Sequence, residues 1–350
     1  MRKKYITGIN SKIFTADISF KIINHEPNEP HELVVRELPI VRVGSCWFVV
    51  KNFIIICFLL IITACSRQTQ DGLLITVSIP PQAWFVSQIA GDKAHAMVLA
   101  GPGQNPHSYE PGPRQIQSLS ASGAWILSGV EFEISLRPKI AALFPNLLIV
   151  DGTEGVSFRM LEEHDHDDGH DHSDFEVDRH SWLGREPAKI LAAHVRETLS
   201  ILDGANEAYY RGQYERLITL IDFEFDELKI SLMPLSGRSV FVYHPSFGYF
   251  LDEFGIFQEA VETGGKEPTP RELYNLIGRL KEEEASAVFV QAQFPVNAAK
   301  TLASAVGAEL IALDPLAQDW LTNIRLMGES LKMTTLQITA AQTQAQGEAQ

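Results

Sequence analysis

Cysteine is nearly absent from this 350-residue chain: there are three, Cys46, Cys57 and Cys65, and none follows. From residue 66 onward no disulfide framework can form, and a thiolate metal site of the zinc-finger kind is excluded. Any metal centre must therefore be built from His, Asp and Glu. Basic residues are also scarce, 29 Lys and Arg against 44 Asp and Glu, for a formal net charge of −15. Such a surface repels nucleic acid and concentrates cations, which argues against a nucleic-acid partner and for a cationic ligand. The chain has no His-Glu-x-x-His pair, the compact arrangement of ligands and base that secreted zinc hydrolases use. Internal sequence repeats are lacking too.

The one long apolar run, residues 52–64, is shorter than the ~20 residues that a membrane-spanning helix needs. It follows Lys51, ends in small residues and gives way at once to polar Ser66-Arg67-Gln68-Thr69, the pattern of a signal peptide. Ile62-Thr63-Ala64-Cys65 resembles a bacterial lipobox, which implies lipidation of Cys65 and a mature chain tethered to a membrane without spanning it. The expected location is extracytoplasmic, in the periplasm or on the outer cell surface. Residues 1–50 fit neither a signal peptide nor a folded domain, and the expectation is a misplaced start with Val50 as initiator. Removing residues 1–64 leaves 286 residues with 21 basic and 39 acidic side chains, a net charge of −18. That length suffices for two modest α/β domains.

From Leu73 short apolar runs alternate with amphipathic stretches, the sign of βαβ units and parallel sheets. Strands are expected at 74–79, 94–99, 124–128 and 147–150, with helices at 82–89, 113–120 and 134–143. Order dissolves between Gly152 and Arg185 into an acidic, His-rich stretch. Helical periodicity then runs over 187–202 and 206–232, the second helix serving as a bridge. Alternation resumes with strands at 239–243, 257–261, 287–291 and 309–313, helices at 247–254, 271–281 and 297–305, and a closing helix from Gln318. The domain plan is a signal region (1–64), a lipidated linker (65–72), a first α/β lobe (73–185), a helical connector (186–235), a second α/β lobe (236–341) and a disordered tail (342–350).

Three histidines stand apart in polar or turn-rich segments: His107 in Asn-Pro-His-Ser-Tyr-Glu-Pro, His180 in Arg-His-Ser-Trp-Leu-Gly, and His244 in His-Pro-Ser-Phe-Gly-Tyr. His244 follows a strand directly, His107 follows the second strand after a Gly-Pro-Gly turn, and Asp314 follows the strand ending at Leu313. Ligands of doubly wound sheets bind beyond the carboxyl ends of strands, so these positions point at a common crevice. A loop histidine taken singly is more often a surface residue than a ligand. Together, three imidazoles and one carboxylate make the four-coordinate set that zinc prefers, although imidazole also suits copper, iron and nickel.

With these segments the chain resembles the metal-binding lipoproteins of bacterial zinc and manganese ABC importers, the cluster A-I solute-binding proteins, over nearly all of residues 73–336. The resemblance implies an α/β fold of two lobes, each with a mainly parallel sheet flanked by helices, joined by a long rigid helix. It implies a metal site in the inter-lobe cleft made by His107, His180, His244 and Asp314. It implies a monomeric carrier, not an enzyme, that delivers Zn2+ to a permease and its ATPase, with Mn2+ as the alternative cargo. Relatives with Glu in place of His244 resemble manganese binders, so the third histidine favours zinc. Arg179 departs from the family, which more often has Pro there.

The tract holding His164, His166, His170 and His172 is a separate signal, since His-rich segments bind metals by composition without fixed geometry. It is read as a mobile accessory collector. His194 and His95 are expected in a helix and beside a strand, Glu110 at a helix start, and Trp182, Phe247 and Tyr249 as walls of the cleft. The rival readings are a secreted zinc hydrolase with an open coordination position, and a surface interaction protein in which zinc is structural. Because imidazoles must be deprotonated to bind, affinity should fall below about pH 6.5.

Overall fold

The computed structural model describes residues 72–161, 177–262 and 266–348, with side chains described to Thr334. The signal region, Cys65, and the four histidines of the 163–174 tract lie outside the described residues. Two four-stranded, wholly parallel sheets organise the rest. The first contains β1 (Leu73–Val77), β2 (Ala94–Val98), β3 (Ala124–Leu127) and β4 (Leu148–Asp151) in the order β2-β1-β3-β4. The second contains β5 (Ser239–Val242), β6 (Phe257–Ala260), β7 (Ala287–Val290) and β8 (Glu309–Ala312) in the order β6-β5-β7-β8. The two sheets thus share one topology despite the absence of a sequence repeat.

The strands form where burial demands them. Inner strands β3 (Ala-Trp-Ile-Leu) and β7 (Ala-Val-Phe-Val) are buried at every position, as strands covered on both faces by helices must be. The helices are α1 (Pro80–Ala90), α2 (Pro113–Leu119), α3 (Glu131–Leu143), α4 (Arg185–Leu202), α5 (Glu207–Leu232), α6 (Gly248–Asp252), α7 (Pro270–Glu282), α8 (Asn297–Val306) and α9 (Trp320–Glu348). Proline opens α1, α2 and α7, where its missing N–H costs nothing. Thr269 and Glu272 cap α7 reciprocally. Gly307, at φ 75°, ends α8 in the left-handed conformation that glycine adopts without strain.

Two expectations are corrected. Helix α3 begins three residues early, at Glu131, because the Glu133 carboxylate accepts the backbone N–H groups of Ser128 and Gly129 and so anchors the preceding loop. The expected disordered tail is helical as far as Glu348, consistent with its content of Ala, Gln and Glu, all good helix formers. Among the described residues no helix is long and apolar enough to cross a membrane.

The connector does more than link. Helix α5 packs on α4 and on α9, and the main core runs from the first sheet through α1, α4 and α5 to one face of the second. Trp320, at the start of α9 and fully buried, sits between Trp84 and Phe85 of α1 and Phe225 of α5, with ring centroids 5.6, 5.0 and 6.3 Å away. Gly328 lets Leu228 lie against α9, since a Cβ there would overlap the leucine side chain. A smaller core under α7 and α8 holds Phe241, Leu276, Leu280, Val288 and Leu302.

Candidate metal centre

The carboxyl ends of both sheets open on one cleft of about 510 Å³. His107 enters it from the loop after β2, and His244 lies two residues beyond β5. His180 comes from the turn that precedes the short helical segment Ser181–Leu183. Their Nε2 atoms converge: His107 to His244 is 2.9 Å and His244 to His180 is 3.2 Å, and the ligand atoms of all three lie within 4.8 Å of one another. His180 and His244 are buried, whereas 31% of the His107 side chain stays exposed at the mouth.

On the far side of each ring a carboxylate holds Nδ1. The distances are 3.0 Å from His107 to Glu131 Oε2, 2.9 Å from His180 to Asp178 Oδ1, and 2.5 Å from His244 to Glu262 Oε1. A carboxylate at Nδ1 calls for the proton there, which leaves a lone pair on Nε2. Three such lone pairs facing one point repel unless a cation sits among them. The arrangement, three imidazoles inside and three carboxylates outside, is one that could hold a metal ion.

Electrostatics reinforce this. Burial, followed by the charges of His180 and His107, pushes the His244 imidazole far below its usual value, so it stays neutral and able to bind. Burial alone would raise the carboxyls of Glu131 and Asp178. Hydrogen bonding and charge from His107 and His180 respectively outweigh it, and both are held below the ordinary range. The Asp178 side chain is wholly buried and also takes Arg159 Nη1 at 3.0 Å; Arg159 in turn reaches Asp252 at 3.0 Å. Tyr249 donates its hydroxyl to the Asp178 carbonyl at 2.9 Å, and burial pushes its pKa up to about 12. The Gln291 side chain grips the His244 backbone at both N–H and carbonyl, while Phe294 stacks on the ring at 4.2 Å.

The expected fourth ligand, Asp314, stands apart from this cluster. It lies beyond β8 as expected, but its Oδ1 accepts from Gln293 Nε2 and from the Leu316 N–H, each at 3.0 Å. Of the walls, Trp182 is buried with its ring 5.4 Å from His180, and its indole N–H reaches the Pro315 carbonyl at 2.8 Å. Arg179 Nη1 donates to the Gly129 carbonyl at 2.9 Å, and its Nε lies 3.8 Å from Glu131. His194, on α4, meets the carbonyl of Glu154 in the turn after β4, and His95 lies in β2 beside Leu74; neither lines the cleft.

Sequence reasoning missed the three outer carboxylates, although each leaves a trace. Glu262 stands two residues after β6, level with His244 after the neighbouring β5. Asp178 precedes His180 by two residues, and Glu131 opens the helix after β3.

Two α/β lobes whose sheets aim their carboxyl ends at a shared cluster of three histidines have the architecture of a two-lobed solute-binding protein. The chain belongs to the family described as zinc-uptake complex component A, periplasmic (ZnuA), whose model matches residues 75–333. That family is a component of an uptake complex, not an enzyme. The zinc-binding lipoprotein AdcA of Streptococcus pneumoniae is 27% identical over 274 residues, 73% of this chain, which spans only 53% of that longer protein. The high-affinity zinc uptake protein ZnuA of Yersinia pestis is 25% identical, with 69% of this chain and 82% of that one covered. A crystal structure of ZnuA superposes with a TM-score of 0.70 at 33% identity, covering 75% of this chain and 99% of the other. A zinc-bound deletion mutant of ZnuA gives 0.69 and 31%, with coverage of 75% and 98%.

Proposed function

We propose that this chain captures Zn2+ outside the cytoplasm through His107, His180 and His244 and delivers it to an ABC importer, a permease with its ATPase. The convergence of three Nε2 atoms, each imidazole backed by a carboxylate, carries this reading. Three imidazoles suit zinc; manganese prefers more oxygen in its inner shell. The likeness to the zinc-binding lipoprotein AdcA and the zinc uptake protein ZnuA supports zinc as cargo, and the family's description as periplasmic supports an extracytoplasmic location. Anchoring through Cys65 follows from the lipobox-like segment and agrees with AdcA being a lipoprotein. The domain plan, corrected in its tail, belongs to the same proposal, with the His-rich tract as an accessory collector.

Competition titration of the purified protein tests the site. Wild type should bind zinc in preference to manganese. His244→Ala should lose more than the ~10–100-fold in affinity that removal of an outer carboxylate typically costs. Undiminished zinc affinity in that variant would refute the assignment.

A further inference from the structure

Asp178 divides its two carboxylate oxygens between two tasks. Oδ1 accepts the His180 backbone N–H and meets His180 Nδ1, each at 2.9 Å, while Oδ2 takes Arg159 Nη1 at 3.0 Å. The carboxylate is wholly buried, and a buried carboxylate stripped of its ion partner is strongly disfavoured. An imidazole that is neutral, as binding requires, supplies a hydrogen bond but no charge. The compensating charge at 3.0 Å comes from Arg159.

Arg159 lies between β4 of the first sheet and α4, yet its seat belongs to the second sheet. Its Nε donates to Asp252 Oδ2 at 3.0 Å and its backbone N–H to the Tyr249 hydroxyl at 2.9 Å, both on α6 between β5 and β6. That hydroxyl also donates to the Asp178 carbonyl, so one tyrosine spans both partners of the ion pair. Gly248 opens α6 against the guanidinium, where a Cβ would overlap Nη1 and Cζ. The backbones of the pair are joined as well: the Asp178 N–H donates to the Arg159 carbonyl at 2.9 Å, and Met160 bridges Val177 in antiparallel fashion. We infer that Arg159 is a positioning residue for zinc binding, fixing the carboxylate that aims His180 from a seat that Gly248, Tyr249 and Asp252 provide. The inference rests on the zinc-binding reading above. Presentation of His180 thereby depends on both sheets, and is complete only while α6 lies against Arg159.

Zinc titration in competition with a chromophoric chelator, paired with thermal melts of the metal-free protein, tests this. Arg159→Gln should weaken zinc binding about tenfold, the lower end of what losing a ligand's support costs. Gly248→Ala, which keeps the arginine but puts a methyl group where its guanidinium lies, should weaken it by a similar factor. Residues of one network couple, whereas independent ones add. Arg159→Gln placed on Asp178→Asn should therefore cost no further affinity. A merely structural role predicts a lower melting temperature in Arg159→Gln with wild-type zinc affinity, or a full additive loss in the double variant; either result overturns the inference. Circular dichroism of the metal-free variants establishes that each is folded. Should Arg159→Gln fail to fold, Gly248→Ala carries the test alone, and wild-type zinc affinity in it refutes the role. Wild type that binds no zinc defeats the parent reading, whereas a weakened His244→Ala beside a silent Arg159→Gln defeats only this one.

Discussion

At the scale of residues, the outer carboxylates decide how well the imidazoles are presented. Each fixes one tautomer and one ring orientation, so its removal leaves the ligand present but loose. Glu262→Gln replaces the acceptor facing His244 Nδ1 with an amide that can also present its NH2 group, and Asp178→Asn does the same for His180. Either change should lower zinc affinity about 10–100-fold; Glu262→Gln should leave the melting temperature near that of wild type, whereas Asp178→Asn, which also takes a charge partner from Arg159, should lower it. Calorimetric titration paired with a thermal melt separates the two effects; an unaltered affinity would show that the carboxylates are bystanders. His107 and His244 were legible in the sequence because each lies in a loop that follows a strand, whereas His180 rested chiefly on the family resemblance of its segment. Their partners were not legible. Acidic residues abound in this chain, and nothing local distinguishes Glu262 from its many solvated counterparts until β6 is known to lie beside β5. For Asp314 the place after β8 was legible, while the hydrogen bonds that its Oδ1 accepts from Gln293 and Leu316 were not, since a pattern of residue types does not reveal them.

At the scale of elements, nearly every strand and helix was readable because apolar runs of four or five residues alternate with amphipathic stretches. The misjudged ends have local causes. Glu133 pulls the start of α3 forward by capping the Ser128–Gly129 loop, and polar composition alone did not betray the helicity of residues 342–348. Helix α9 then supplies the least anticipated contact, with Trp320 reaching the first lobe. Trp320→Ala should cost roughly 3–5 kcal/mol, the usual range for emptying a fully buried aromatic site. Denaturant titration checks this; a loss under 1 kcal/mol would mean that Trp84, Phe85 and Phe225 close over the gap.

At the scale of the whole molecule, the metal is not needed to hold the fold. Each sheet has its own buried strands, and the main core crosses between lobes without passing through the histidines. Chelation should therefore empty the site and leave far-ultraviolet circular dichroism unchanged, with only the stabilisation owed to the ligand lost from the melting temperature. Unfolding on chelation would instead favour a structural role for zinc.

The two indoles carry a mechanical consequence. Trp320 donates to the Trp182 carbonyl at 2.7 Å, and Trp182 donates to the Pro315 carbonyl, so the strip of chain bearing His180 is bolted to the start of α9. A pull on α9 loads His180 through these two bonds, whereas His107 rides on its own sheet. The ligand triangle thus has one vertex on a lever, and levering that vertex is a geometric route to widening the site without unfolding either lobe.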